Sequence, residues 1–117
     1  MDIKDNMIGH ICEYLQIKKH KYSMIKLVKN GLTDEGLRIL LSYLTTDDFT
    51  KVLNVTNNHL TNRSLKLIEQ FILTNNILKT FYVSNNKMTP IQVKKLQPLF
   101  DSKFVQVVLW FVYNFIY

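Results

Sequence analysis

Four asparagines stand at positions 30, 58, 86 and 114, a constant step of 28 residues. A carboxamide both donates and accepts hydrogen bonds. Such a column can therefore engage a ligand, or satisfy buried loop backbone groups that no ladder reaches. The strict spacing favours the structural use. Other residues capable of chemistry do not gather. His10, His20 and His59 share no ligand-type spacing with one another or with Cys12, the sole cysteine. The sequence thus offers no metal site and no disulfide framework. Asp47-Asp48 falls in a helix-to-strand loop, where solvation or capping is the expected use. A serine–histidine–acid grouping, a glycine-rich phosphate loop and paired carboxylates in one cleft are all missing, and the chain has three glycines in total. The reading is non-catalytic, with no cofactor and no small-molecule substrate.

The elements that would position the asparagines repeat with the same period. Met24-Ile25-Lys26-Leu27-Val28-Lys29-Asn30-Gly31-Leu32-Thr33 recurs as Val52 to Thr61 and again as Thr80 to Thr89. Apolar residues alternate in Ile25/Leu27, Leu53/Val55, Phe81/Val83 and Leu109/Phe111, the pattern of strands with one buried side. Thr33, Thr61 and Thr89 follow, each with a hydroxyl suited to capping a helix. Pro90 suits a first helical position, and Asp34 and Glu35 suit the positive end of a helix dipole. Leu37, Leu40 and Leu44, then Leu65, Ile68 and Ile72, then Val93, Leu96 and Phe100 form one inward stripe at i, i+3, i+7. Strands are expected to centre on 25, 53, 81 and 109, with helices over 34–44, 62–73 and 90–100.

These residues resemble the leucine-rich-repeat family, in its long-repeat subclass typified by ribonuclease inhibitor. The family pattern L-x-x-L-x-L-x-x-N-x-L is met by Tyr22, Ile25, Leu27, Asn30 and Leu32, and by Leu78, Phe81, Val83, Asn86 and Met88. The second copy departs at Thr50, which predicts a strand that starts late or loosely. The resemblance covers 22–117 and implies an α/β solenoid, with parallel strands on the concave face and helices on the convex face. Repeats are read as 22–49, 50–77, 78–105 and a partial 106–117, truncated after its strand, all in a single domain. Residues 1–21 are read as an N-terminal cap and basic loop, since Ile8, Ile11, Cys12 and Leu15 have helical spacing and solenoid ends expose core unless covered.

Composition narrows the partners. The chain has 117 residues, 47% hydrophobic and 21% charged, with a net charge of +6. Acidic residues among the first fifteen argue against a secretory signal. The sequons at Asn54 and Asn62 are then read as chance, and the expected setting is intracellular, in the cytoplasm. The apolar run 104–117 is too short to span a bilayer.

Three surfaces stand out. By register, Lys26, Asn54, Thr56, Tyr82, Ser84 and Trp110 point from the strands away from the helices, forming a concave partner-binding face with aromatic anchors. Lys18, Lys19, Lys21, Lys29, Lys51 and Lys79 are read as one basic rim able to contact phosphate, as in RNA. Val107, Leu109, Phe115 and Tyr117 mark a C-terminal edge expected to be covered by another chain. The leading expectation is an interaction or architectural subunit of a larger complex. A basic accessory protein docked on RNA, in a ribosome-like particle, is the alternative.

Overall fold

A computed structural model describes residues 24–45 and 49–108. The expected cap over 1–21, Tyr22, the Asp47-Asp48 pair and Leu109, Trp110, Phe111, Asn114, Phe115 and Tyr117 lie outside these residues, as do Lys18, Lys19 and Lys21. In chain order the elements are β1 (Met24–Lys26), α1 (Asp34–Leu44), β2 (Val52–Asn54), α2 (Arg63–Thr74), β3 (Thr80–Tyr82), α3 (Pro90–Lys94), α4 (Gln97–Ser102) and β4 (Gln106–Val108). The strands form one four-stranded sheet in the order β1-β2-β3-β4, parallel throughout. Parallel neighbours require a crossover between them, and the helices supply it.

One continuous core lies between sheet and helices. Leu27, Leu53, Val55, Phe81 and Val83 are buried from the strand segments, and Leu37, Leu40, Leu44, Leu65, Ile68, Ile72, Val93 and Phe100 from the helices. Leu41 and Phe71 widen the helical stripe, while Leu96 is only half-buried against it. Thr50 is buried and β2 begins in register with β1, so the late or loose start expected from the missing leucine does not occur.

The asparagines act across repeats. The Asn58 Oδ1 accepts from the backbone N–H of Asn30 and of Leu32, both at 2.9 Å. Its Nδ2 donates to the carbonyls of Leu27 at 2.7 Å and Val55 at 2.8 Å. Asn86 repeats the arrangement one unit on, accepting from Leu60 N–H at 2.9 Å and donating to the carbonyls of Val55 and Val83. Each carboxamide thereby fastens its own turn to the turn before it. The residue preceding each asparagine is left-handed, with φ of 59° at Lys29, 61° at Asn57 and 53° at Asn85. Asparagine tolerates that region because its short polar side chain bonds locally; Lys29 has no such relief.

A second lateral row has no signature in the repeat pattern. The Asp34 carboxylate accepts from the Thr61 N–H at 2.9 Å, the Thr61 hydroxyl at 2.6 Å and the Ser64 hydroxyl. One unit on, the Asn62 Oδ1 accepts from the Thr89 N–H at 3.0 Å. This corrects the capping role assigned to two of the threonines. Neither Thr33 nor Thr89 makes a side-chain capping bond, whereas the Thr61 hydroxyl accepts from the Arg63 N–H at the start of α2 at 3.2 Å while donating to Asp34 in the preceding repeat. Burial pushes the Asp34 carboxyl up, but the bonds from Ser64 and Thr61 and the Arg63 charge outweigh it and hold it below its ordinary value of 3.8. A depressed folded value means the carboxylate stabilises the fold above its unfolded pKa, with the contribution lost as pH falls through the folded value. Melting temperature is therefore expected to drop more steeply on acidification below about pH 4 in the native chain than in Asp34→Asn. Identical pH profiles would remove Asp34 as the cause.

The third repeat departs from the other two. In place of one helix over 90–100 there are two, interrupted at Lys95-Leu96. Pro98 explains the break: it lacks an N–H for the carbonyl four residues back, and its ring crowds that carbonyl. The second helix closes on a Schellman pair, with Val105 N–H donating to the Phe100 carbonyl at 2.9 Å and Phe104 N–H to the Asp101 carbonyl at 3.2 Å. Buried Phe100 and Val105 supply the apolar contact usual for this motif. Phe104 stands where glycine is favoured, with φ of 55° and a side chain 84% exposed. Phe104→Gly is expected to raise the unfolding free energy by about 1 kcal/mol, because it removes left-handed strain and sacrifices little burial. Urea denaturation would read it, and a destabilised variant would refute it.

The tight closure shortens the repeat. Met24 pairs with Val52 and Val52 with Thr80, steps of 28, but Thr80 pairs with Gln106, a step of 26. The fourth strand therefore centres on Val107, opposite Phe81, rather than on residue 109. Val107 is half-buried and packs on the core from β4, the last described strand of the sheet.

Candidate binding surface

Side chains alternate along a strand. Once Leu53 and Phe81 are buried toward the helices, their neighbours must face the other side. Lys26, Asn54 and Tyr82 pair successively across β1, β2 and β3, and the register completes the row with Val108. Val108 holds the fourth place that was expected for Trp110, which lies outside the described residues. A flanking row holds Met24, Val52, Thr80 and Gln106 in the same pairing. Met24 is 53% exposed, whereas Val52, Asn54, Thr80, Tyr82 and Val108 are half-buried by one another.

The remaining residues expected on this face divide. Thr56 is half-buried, and its N–H donates to the Asn54 Oδ1 at 3.1 Å, so part of the Asn54 amide is used locally. Ser84 is only 8% exposed, and its hydroxyl lies 3.4 Å from the Val108 carbonyl. It is covered where β4 closes on β3 and does not present a binding group.

The basic rim is also revised. The Lys79 N–H donates to the Lys51 carbonyl at 2.8 Å, which places these two exposed lysines side by side at the start of β2 and β3. Lys29 N–H donates to the Thr56 carbonyl, at the opposite end of the strands. At about 3.3 Å per residue, the six positions between these levels amount to at most roughly 20 Å, less where the chain turns at Lys29. The described lysines are thus two separate groups with Lys26 between them, not one rim.

Sequence reasoning read Asp34 only as a helix-end charge and passed over Asn75. The Asn75 side chain closes the end of α2, accepting from the N–H of Ile77 and Leu78 at 2.9 and 2.8 Å. An acidic residue 27 positions before a threonine was the available signal for the first. Asn75 carries no repeat signature. Two residues of the sequon at Asn62 make structural contacts, the exposed Asn62 through its Oδ1 to the Thr89 N–H and Ser64 through its buried hydroxyl to Asp34.

A cleft of about 370 Å³ lies away from the sheet face, between α4 and β4, lined by Gln97, Phe100, Asp101 and Phe104 to Val107. Among the described residues, no group of three or more His, Cys, Asp or Glu side chains is placed to hold a metal ion. No described helix is long and apolar enough to cross a membrane.

No protein-family model and no curated protein matches the chain. Solved structures do. One of them, leiomodin-1 actin-binding site 2, superposes with a TM-score of 0.74 at 16% identity and covers 94% of this chain. The fold is leucine-rich-repeat-like. The chain spans 65% of the length of that leiomodin structure. Its leucine-rich-repeat-like character agrees with the parallel register, the asparagine turns and the helical stripe described above, and at this identity the likeness concerns the fold alone.

Proposed function

We propose that the chain is a non-catalytic interaction module of the ribonuclease-inhibitor-like kind, a short solenoid whose concave sheet face holds a protein partner within a larger assembly. The observation that carries this reading is the aligned row Lys26, Asn54, Tyr82, flanked by exposed Met24, on a face that the helices leave open. Tyr82 is an aromatic anchor of the kind favoured at binding hot spots, held on a sheet whose backbone needs no ordering, with the Met24 thioether and the Lys26 cation beside it. The leucine-rich-repeat-like fold supports a protein-binding role, and the likeness to an actin-binding site of leiomodin-1 makes actin the first partner to test.

Binding of the purified chain to actin monomers and filaments would be measured by fluorescence anisotropy and co-sedimentation. Tyr82→Ala and Lys26→Glu are each expected to weaken the complex at least tenfold, about 1.4 kcal/mol or more. Arg38→Glu, in α1 on the helical side and bonded to Glu35 at 2.6 Å, is the control and should leave affinity unchanged. Absence of binding by the native chain would eliminate actin. A partner that tolerates both sheet-face changes but loses affinity on helical ones would overturn the assignment of the face.

A further inference from the structure

The acids of the described residues are confined to the helices, whereas bases occur on helices and strands alike. Asp34 and Glu35 lie on α1, Glu69 on α2 and Asp101 on α4, so every described acid belongs to a helix. Three of them are already engaged: Asp34 by Thr61 and Ser64, Glu35 by Arg38, and Asp101 by the Gln97 amide at 2.8 Å. The strands and their ends carry exposed Lys26, Lys29, Lys51 and Lys79 with no described acid among them. Lys51 and Lys79 stand at one end of the strands and Lys29 at the other, with Met24, Lys26, Asn54 and Tyr82 between.

We propose that the segment held on this face is an acidic stretch of a partner protein, with carboxylates at both ends of an apolar centre up to about 20 Å long. The inference rests on the sheet-face reading above and adds the chemistry of the occupant. Opposite charges at both ends would set register and speed encounter, while the apolar centre would supply residence time. Nucleic acid suits this arrangement less well. Its phosphates are continuous, whereas Lys26 is the one described cation between the two lysine levels, among Met24, Val52, Asn54 and Thr80, and Tyr82 is the only described aromatic on the face for a base to stack on.

The intact chain would be titrated with labelled helical peptides. In the first, glutamates lie about thirteen residues apart, roughly 20 Å along a helix, around a leucine-methionine centre. In the second they are gathered at the centre, and in the third lysines replace them. The first peptide is expected to bind at least tenfold more tightly than the others, with affinity falling as salt rises. A triple variant, Lys29→Gln, Lys51→Gln and Lys79→Gln, checked for folding by circular dichroism, should abolish that preference. Equal binding of the first two peptides, indifference of the triple variant, or efficient displacement of the first peptide by polyuridylate would overturn the proposal. If Tyr82→Ala weakens a partner that the triple variant still binds normally, the acidic occupant is refuted while the sheet face stands.

Discussion

Replacing Phe81 with alanine is expected to lower the unfolding free energy by about 3–5 kcal/mol, the usual cost of deleting a buried aromatic ring. Phe81 is fully buried at the middle of β3, between Leu53 on one side and Val107 on the other. The cavity would therefore open onto two repeat junctions. In a stacked fold each unit gains its stability from its neighbours, so the damage would not stay within one repeat. A domain of this size has about 5–15 kcal/mol in all, and much of that would be lost. Tyr82→Ala supplies the control, because the adjacent side chain faces the open side of the sheet. It should cost about 1 kcal/mol or less in stability while carrying the binding defect. Urea denaturation of both variants reads the difference, and a Phe81→Ala loss under 1 kcal/mol would refute the central placement of this ring.

Asn58→Ala is the second large effect, expected at about 3 kcal/mol. One carboxamide satisfies the N–H groups of Asn30 and Leu32 and the carbonyls of Leu27 and Val55. Alanine would leave these groups without that partner in a buried turn, and each buried donor or acceptor so stranded costs about 1–3 kcal/mol before relaxation and water entry reduce it. Asn58→Asp distinguishes loss of bonding from loss of shape. It keeps the acceptor but turns a carboxylate oxygen toward two carbonyls, so it should be destabilised at neutral pH and partly rescued by acid. Asn86→Ala should cost less, since Asn86 is only half-buried and accepts one described N–H where Asn58 accepts two. Equal losses at the two positions would contradict the ranking.

Both effects were anticipated in kind from the residues themselves. The 28-residue step, the strand alternation and the helical leucines are local periodicities, and burial of one face follows directly from them. Three parallel strands centred on 25, 53 and 81 and the helix over 34–44 stand where the pattern put them. The second helix is displaced by one residue, to 63–74. Beyond β3 the extrapolation is off by two residues, so that Val108 stands opposite Tyr82 in the sheet-face row. Pro98 was visible in the sequence as a helix breaker. That the chain would respond with two short helices, a Schellman closure through Phe104 and a strand two residues early depends on how Phe100 and Val105 pack.

What the sequence determined by itself is therefore the period: which residues turn inward, where each turn carries its asparagine, and that strands and helices alternate. These follow from the chemistry of residues a few positions apart. The tertiary structure decided everything that joins one unit to the next. It bonds Asp34 to Thr61 and Ser64 across the repeat boundary, spends Ser84 on β4, parts Lys29 from Lys51 and Lys79, and sets the register of the last described strand. The physical reason is that a side chain's partner in a stacked fold lies one repeat away in sequence but about 5 Å away in space. Which partner it meets is settled only when the units close on one another.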